Sequence, residues 1–248
     1  FHYAYAALMS NSQTRELLAP GHGGYSSGGL DTEFKNLKSK VSFVKHNKIV
    51  FVPKTVKTLR SIAVEPLLNG FIQKGIDVYM RGCLRRIGID LSDQEPNRDM
   101  ARQGSLPGIN QFSTIDLSSA SDSISIELCR ELLPPAWFDF LNSVRSKEFE
   151  SSLGRKTYEK FCSMGNGFCF PLETLLFTAA CHAVGCRNPG KEFRVYGDDI
   201  IVRGNFFEPL VSLLRYLGFK VNSKKTFQVG PFRESCGADW FGGEDVRP

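Results

Sequence analysis

A chain of 248 residues with 42% hydrophobic residues and 20 phenylalanines can fill one large core or two modest ones, which excludes a disordered or low-complexity protein. Its 31 Lys and Arg against 26 Asp and Glu leave a formal charge of +5, which permits a polyanionic partner without demanding one. The 7 cysteines are odd in number, irregularly spaced and without a C-x-x-C pair, so a disulfide scaffold is excluded. Cys181, His182 and Cys186 lack a second ligand pair of suitable spacing for zinc, and buried reduced thiols of a cytosolic protein are expected instead. No apolar run reaches membrane-spanning length and no signal peptide heads the chain. A start at Phe1 and a stop just after an aromatic-rich stretch read as a piece of a longer protein.

In chain order, residues 20–30 (PGHGGYSSGGL) form a Gly/Ser-rich loop. Val41 to Val52 (VSFVKHNKIVFV) holds two β-rich runs parted by Lys45-His46-Asn47-Lys48, which predicts a hairpin turning at those residues. From Lys35 through Lys38, Lys40, Lys45, Lys48, Lys54 and Lys57 to Arg60 no acid intervenes, and a solvated face is the ordinary meaning of such a run. Pro66 to Ile87 has helical apolar spacing through Leu67, Phe71, Ile72, Ile76, Val78 and Tyr79, whereas Asp90 to Gly108 is polar and loop-like. A strand is expected at Phe112 to Leu117, then a helix over Ser118 to Leu133 halted by Pro134-Pro135. A further helix runs from Pro171 to about Val184, a hairpin turns at Asp198-Asp199, and a helix near Phe206 to Leu217 ends at Gly218. Strands at Phe219 to Asn222 and Lys225 to Val229 follow. Elements that do not alternate regularly predict an α+β fold, with helices backing a small antiparallel sheet.

The stretch RVYGDDIIV sets two carboxylates side by side at a turn that Gly197 alone would shape. Asp116 stands at the end of an apolar strand, where an acid is also an ordinary helix cap. If the two strands are neighbours, Asp116, Asp198 and Asp199 converge at one sheet edge. Three acids in one place repel, and oxygen-preferring divalent cations relieve that repulsion. Two such ions suit in-line phosphoryl transfer. Lys54, Lys57 and Arg60 recur every third residue and would suit a triphosphate. In SMGNGF, Gly165 and Gly167 flank Asn166 and allow close backbone approach to a ligand, although a plain loop explains them equally well.

Taken together, VPKTVKTLRSIAVEP, STIDLSSASDSIS, SMGNGFCFPLETLLF, VYGDDIIV, LGFKVNSKKTF and GPFRESCGADWFGGEDVRP resemble the replicases of single-stranded RNA bacteriophages, in order from about residue 49 to the end. Those proteins are RNA-dependent RNA polymerase subunits. The resemblance implies a right-handed polymerase fold with an antiparallel palm sheet backed by helices. Residues 1–110 would be fingers, with a basic motif F segment at 49–66. Residues 111–147 would be the first part of the palm with motif A, 148–162 a fingers–palm connection, and 163–248 the second part of the palm with motifs B to E. The thumb would be largely missing.

By the same resemblance, Asp116, Asp198 and Asp199, with the adjacent Leu117, are metal ligands for two Mg2+ ions, Mn2+ being a possible substitute. Lys54, Lys57 and Arg60 meet the triphosphate, while Asp122, Ser163, Gly165 and Asn166 face the nucleotide. Lys224 or Lys225 protonates the leaving pyrophosphate, and Phe232 to Trp240 grip the primer end. Three departures leave ribose recognition open: Asp122 follows Asp116 by six positions, Cys169 replaces a common Thr, and Glu173 stands where Asn is usual. The implied partners are template and nascent RNA, nucleoside triphosphates, and the host elongation factors Tu and Ts with a ribosomal protein. The implied place is the cytoplasm of the infected bacterium, with no membrane. A reverse transcriptase and a non-catalytic RNA-binding fragment are the competing readings. Nucleotide preference separates the first, and intact acids and cations argue against the second.

Overall fold

The computed structural model describes Lys35, Lys38, Ser39 and residues 41–108 and 112–247, so the Gly-rich loop expected at 20–30 lies outside the described residues. The first two strands, β1 (His46–Thr55) and β2 (Thr58–Val64), form an antiparallel ribbon. Its turn falls at Val56-Lys57, where the Thr55 hydroxyl accepts from the amides of Lys57 and Thr58. The turn expected at Lys45 to Lys48 is therefore misplaced by about ten residues. The polar run belongs inside β1 because Asn47, 1% exposed, finds buried partners, while Lys48 is left in solvent. His46 to Lys48 pair in parallel with β5 (Glu148–Ser151), which continues antiparallel to β6 (Gly154–Thr157).

The first helix, α1 (Leu67–Arg86), has the expected bounds but not the expected face. Leu67, Phe71, Val78 and Tyr79 are exposed, whereas polar Gln73 and Asp77 are buried with Ile76, Met80 and Leu84. Both polar groups are satisfied: Asp77 accepts from Lys74 and Arg81 (2.6 Å each), and Gln73 donates to the Val144 carbonyl (2.9 Å). Residues 90–108, expected as a loop, contain α2 (Glu95–Ser105). Pro96 sits in its first turn, where a fixed φ favours a helix, and the buried side is Asn97, Met100, Ala101, Gly104 and Ser105. Only two of those residues are apolar enough to signal a helix in sequence. Gly104 is required there, since a Cβ would lie 2.7 Å from the Phe112 carbonyl oxygen.

That contact seats α2 against a three-stranded antiparallel sheet in the order β3 (Phe112–Ile115), β8 (Asp199–Arg203), β7 (Phe193–Tyr196). Ile200, Ile201 and Val202 are buried, as in a strand covered on both faces. Beneath them pack α5 (Cys169–Ala183) and α6 (Gly204–Tyr216), through Leu172, Phe177, Leu210 and Leu214. The helix expected from Ser118 starts later. Leu117–Ser118 forms β4, a 3-10 turn spans Ser121–Ser123, and α3 (Ile126–Leu132) begins after Ser125, whose hydroxyl accepts from the Leu128 amide. Serine side chains compete with helical bonding inside a helix but favour its start. Pro134-Pro135 stops α3 and also opens α4 (Pro135–Val144).

Of the two late strands expected, β9 (Lys220–Val221) pairs with β4. The other, at residues 225–229, reduces to one bridge between Phe227 and Thr114. A closing meander follows: β10 (Phe232–Ser235), β11 (Ala238–Phe241) and β12 (Glu244–Asp245). Arg233, 2% exposed, pins it to the central sheet, donating to the carbonyls of Phe112 (2.6 Å), Phe232 (2.6 Å), Gly230 (2.8 Å) and Gln228 (2.9 Å). Among the described residues no helix is long and apolar enough to cross a membrane.

Replacing Arg233 by Met keeps bulk but leaves these four carbonyls, that of buried Phe112 among them, without their donor. Arg233→Met is expected to cost about 3 kcal/mol or more, read as a lowered urea midpoint at unchanged slope.

Candidate functional site

The link from β7 to β8 is the two-residue turn Gly197-Asp198, closed by the pair Tyr196 and Asp199. Gly197 has φ +63, and a Cβ there would lie 2.2 Å from the Phe170 ring, so both backbone and space demand glycine. Its amide donates to the Thr174 hydroxyl of α5 (3.0 Å). Asp198 is thereby presented at the tip, exposed, and Asp199 opens β8.

Antiparallel register then brings in Asp116. Ile115 pairs with Ile200, so the next residue along β3 lies beside the first residue of β8. Asp116 is held from the other side by Asn222, whose side chain donates to Oδ2 (2.7 Å) and whose amide donates to the Asp116 carbonyl (2.9 Å). Asp199 Oδ1 accepts from the Cys236 amide (3.0 Å) and the Ser235 hydroxyl (3.4 Å). Cys236 has φ 48 in the tight β10–β11 turn, which aims that amide at the carboxylate.

The three acids feel one another. Burial, reinforced by Asp198 and Asp116, pushes Asp199 up to about 6. Asp116 is also raised, chiefly by burial and further by Asp198, against the Asn222 bond and the attraction of Lys225. A fourth acid joins them. Glu173 on α5, 6% exposed, is pushed up to about 8 by burial and by Asp198. Among the described residues no three of these side chains are drawn together closely enough to enclose an ion, because Asp199 turns to Cys236 and Asp116 to Asn222. Leu117 has a buried side chain, which leaves only its backbone carbonyl as a donor at this edge.

Of the two candidate lysines, Lys225 is the one near the acids. Its ammonium bonds Glu234 (2.8 Å), which raises its pKa, and Asp116 adds to that rise. Lys224 points its side chain to solvent, and its amide bonds Asn222 Oδ1 (3.2 Å). On the ribbon, Lys54, Lys57 and Arg60 are all exposed. Lys57 lies in the turn, Lys54 at the irregularity where register slips between Pro53 and Thr55, and Arg60 opposite Val52.

The loop Ser163 to Gly167 is braced on the base of this ribbon. The Ala63 amide donates to the Met164 carbonyl (2.7 Å), and a Cβ on Gly165 (φ +109) would lie 2.2 Å from the Ala63 carbonyl oxygen. Asn166 was expected to face a nucleotide, yet it is 6% exposed and its Oδ1 accepts from the Phe168 amide (3.0 Å), so that oxygen shapes the loop. Ser163 is likewise buried. Asp122 is exposed and ion-paired with Lys160, a residue unmarked by any sequence pattern. Asn222 and the Cys236 amide are also illegible in sequence, since their roles depend on pairings across 106 and 37 residues.

The chain matches the family described as "RNA replicase, beta-chain" over residues 23–248. It is 50% identical over 206 residues to the RNA-directed RNA polymerase subunit beta of Enterobacteria phage SP, covering 82% of this chain and 35% of that protein. It is 48% identical over 206 residues to the corresponding subunit of Escherichia virus Qbeta, covering 82% and 34%. It is 43% identical over 204 residues to the RNA-directed RNA polymerase beta chain of Escherichia phage MS2, covering 82% and 37%. The chain therefore spans about a third of the length of these relatives. Among solved structures it is similar to the BmCPV RNA-dependent RNA polymerase at elongation state, with TM-score 0.58 and 14% identity over 86% of this chain and 22% of that one. It is also similar to telomerase from Candida albicans, with TM-score 0.51 and 13% identity over 82% and 45%. At such identities the likeness is one of fold.

Glu173 has an ordinary value of 4.5 and titrates near 8 in the fold, so between those values the folded state binds a proton that the unfolded state lacks. Stability contributed by this group is accordingly lost as pH rises through that window. Metal-free Glu173→Gln is expected to exceed its parent in stability at pH 8 by about 2–4 kcal/mol, the gap closing near pH 4.5, as read by urea unfolding at both.

Proposed function

Because the chain belongs to the RNA replicase beta-chain family, we propose that it carries the catalytic centre of a phage RNA-dependent RNA polymerase, which joins nucleoside triphosphates to a growing RNA strand on an RNA template. One observation supports this above others: the β3–β8 register and the Gly197-Asp198 turn set Asp116, Asp198 and Asp199 at a single sheet edge. The donors at that edge are all hard oxygens, and two of the acids have pKa values raised by burial and mutual repulsion, which suits Mg2+ or Mn2+.

In this reading Asp116, Asp198 and Asp199, with the Leu117 carbonyl, would hold two divalent ions. Once bound, such ions lower the charge on an attacking 3′-oxygen and on the departing pyrophosphate. The 3′-hydroxyl gives up its proton to solvent as its oxygen bonds to the α-phosphorus, while the bond from that phosphorus to the bridging oxygen breaks. Lys54, Lys57 and Arg60 bind the triphosphate oxygens and orient them. Lys225, kept protonated by Glu234, gives a proton to the leaving pyrophosphate. The loop of Ser163, Gly165 and Asn166 supports the nascent base pair through its backbone, and Asp122 faces the ribose.

The ribbon and the helices up to residue 110 then form fingers around the basic segment 49–66. Residues 111–147 and 163–248 form the palm, and 148–162 connect it to the fingers. Template and nascent RNA are the partners at the site. The complete replicase would further take host elongation factors Tu and Ts and a ribosomal protein, in the cytoplasm of the infected cell.

A polymerase carrying these residues is expected to incorporate ribonucleotides on an RNA template, and a clear preference for deoxyribonucleotides would make it a reverse transcriptase. Asp198→Asn is expected to lower synthesis by at least about 100-fold while leaving RNA affinity within about twofold in a filter-binding assay. Equal synthesis by variant and parent would remove Asp198 from the site. Lys54→Ala should raise the KM for nucleoside triphosphates by about tenfold with kcat little changed. Loss of template affinity alone would move Lys54 to the RNA path instead.

A further inference from the structure

Tyr158 lies just past β6, 7% exposed, in a segment expected only to connect other parts. Its phenol donates to Asn47 Oδ1 (2.7 Å). Asn47 extends the network. Its side-chain amide donates to Glu65 Oε1 (3.1 Å), and the other oxygen of Glu65 accepts from the Ser146 hydroxyl (2.6 Å). The Tyr158 ring packs on Phe149 at 4.8 Å between centroids, and the Lys160 ammonium lies 5.5 Å from its centre. That ammonium is the partner of Asp122. One side chain thus reaches the base of the cationic ribbon through Asn47 and the Asp122 ion pair through Lys160, and the loop at Ser163 is braced on the same base by the Ala63–Met164 bond (2.7 Å).

The ribbon needs such an anchor. Beyond its base it is scarcely packed, with Phe51 64% and Leu59 66% exposed, and β5 pairs with it only from His46 to Lys48. Where Lys54, Lys57 and Arg60 sit relative to the acids is therefore decided at Asn47, Ala63 and Glu65. Apolar packing tolerates small slides, but a buried polar network has few arrangements in which every atom is paired. Asn47, 1% exposed, has its side-chain oxygen served by the phenol.

We infer that Tyr158 is a positioning residue for nucleotide binding: its hydroxyl fixes the base of the ribbon, on which the loop 163–167 is braced through the Ala63–Met164 bond, and its ring seats the lysine that holds Asp122. The inference rests on the reading above, in which those segments meet the nucleotide. It makes the three move as one unit against the acid-bearing sheet edge.

Tyr158→Phe, made in a complete polymerase polypeptide carrying these residues, keeps the ring and removes only the hydroxyl. Amide hydrogen exchange is expected to speed up at residues 46–64 and 163–167 and to stay unchanged at 112–115 and 199–203. The KM for nucleoside triphosphates should rise about five- to tenfold with kcat within about twofold. Asn47→Ala should reproduce the pattern, and combining the two should add little, because both break one network. Tyr158→Leu should also free Asp122, seen as weaker discrimination between ribo- and deoxyribonucleotides. Unchanged exchange at the ribbon and loop would overturn the inference. So would faster exchange spread evenly through every element with KM and kcat falling together, since that marks simple loss of stability. Exchange is read without catalysis, so a parent that makes no RNA would overturn the polymerase reading while the exchange result still decides the coupling.

Discussion

The chemistry available to this chain depends on the register of one antiparallel pair, β3 against β8. Ile115 opposite Ile200 places Asp116 beside Asp199, and the two-residue turn from β7 adds Asp198 at the tip. Side chains alternate along strands, so a slip of one residue would carry one carboxylate to the opposite face and draw a charged neighbour, Asp199 or Arg203, into the buried run. Several independent contacts resist that slip. Thr114 and Phe227 exchange backbone bonds at 3.0 and 2.9 Å, Arg233 fastens the Phe112 carbonyl, and Gly104 lets α2 close over the end of β3. The fully buried run Ile200, Ile201, Val202 makes the correct register the apolar one as well.

Holding acids together in this way opposes folding. Asp116, Asp199 and Glu173 all titrate above their ordinary values because they are buried near other negative charges. A fold selected for stability alone would place apolar or neutral groups at these positions. The surrounding core, with Phe177, Leu210, Leu214 and Phe193 all at 1% exposure or less, outweighs that repulsion. Hydrogen bonds also share the load: Asn222 takes one oxygen of Asp116, and the Cys236 amide takes one of Asp199. These contacts turn two of the acids outward from a common centre, so binding a cation there would exchange protein donors for metal.

What could be read from sequence follows how local each signal is. The Gly197-Asp198 turn, the bounds of α1 and α5 and Gly218 past α6 all came from short patterns, and the family inferred from the motifs is the one that the comparisons return. The failures share a cause. The polar run at Lys45 to Lys48 looked like a turn because the partner that buries Asn47 lies 111 residues away. α2 looked like a loop because its buried face is built from Asn97, Gly104 and Ser105 as much as from Met100. Where buried positions are polar, hydrophobic periodicity is silent, and only tertiary partners reveal them.

The two halves of the site are accordingly built by different physics. The acid edge rides on a sheet packed in apolar core, which makes it rigid and legible. The cationic ribbon rides on a base of buried polar contacts, namely Asn47, Glu65, Ser146 and the Ala63–Met164 bond. Each of those bonds adds little net stability, but an unpaired partner would cost more than the bond contributes, so the ribbon's angle is specified more sharply than its stability requires. Triphosphate oxygens must meet the cations while the α-phosphorus meets the acid edge. A scaffold that fixes distance through polar bonds and strength through apolar packing can hold both without burying the ribbon, whose tip is thereby left open to solvent and to nucleotide.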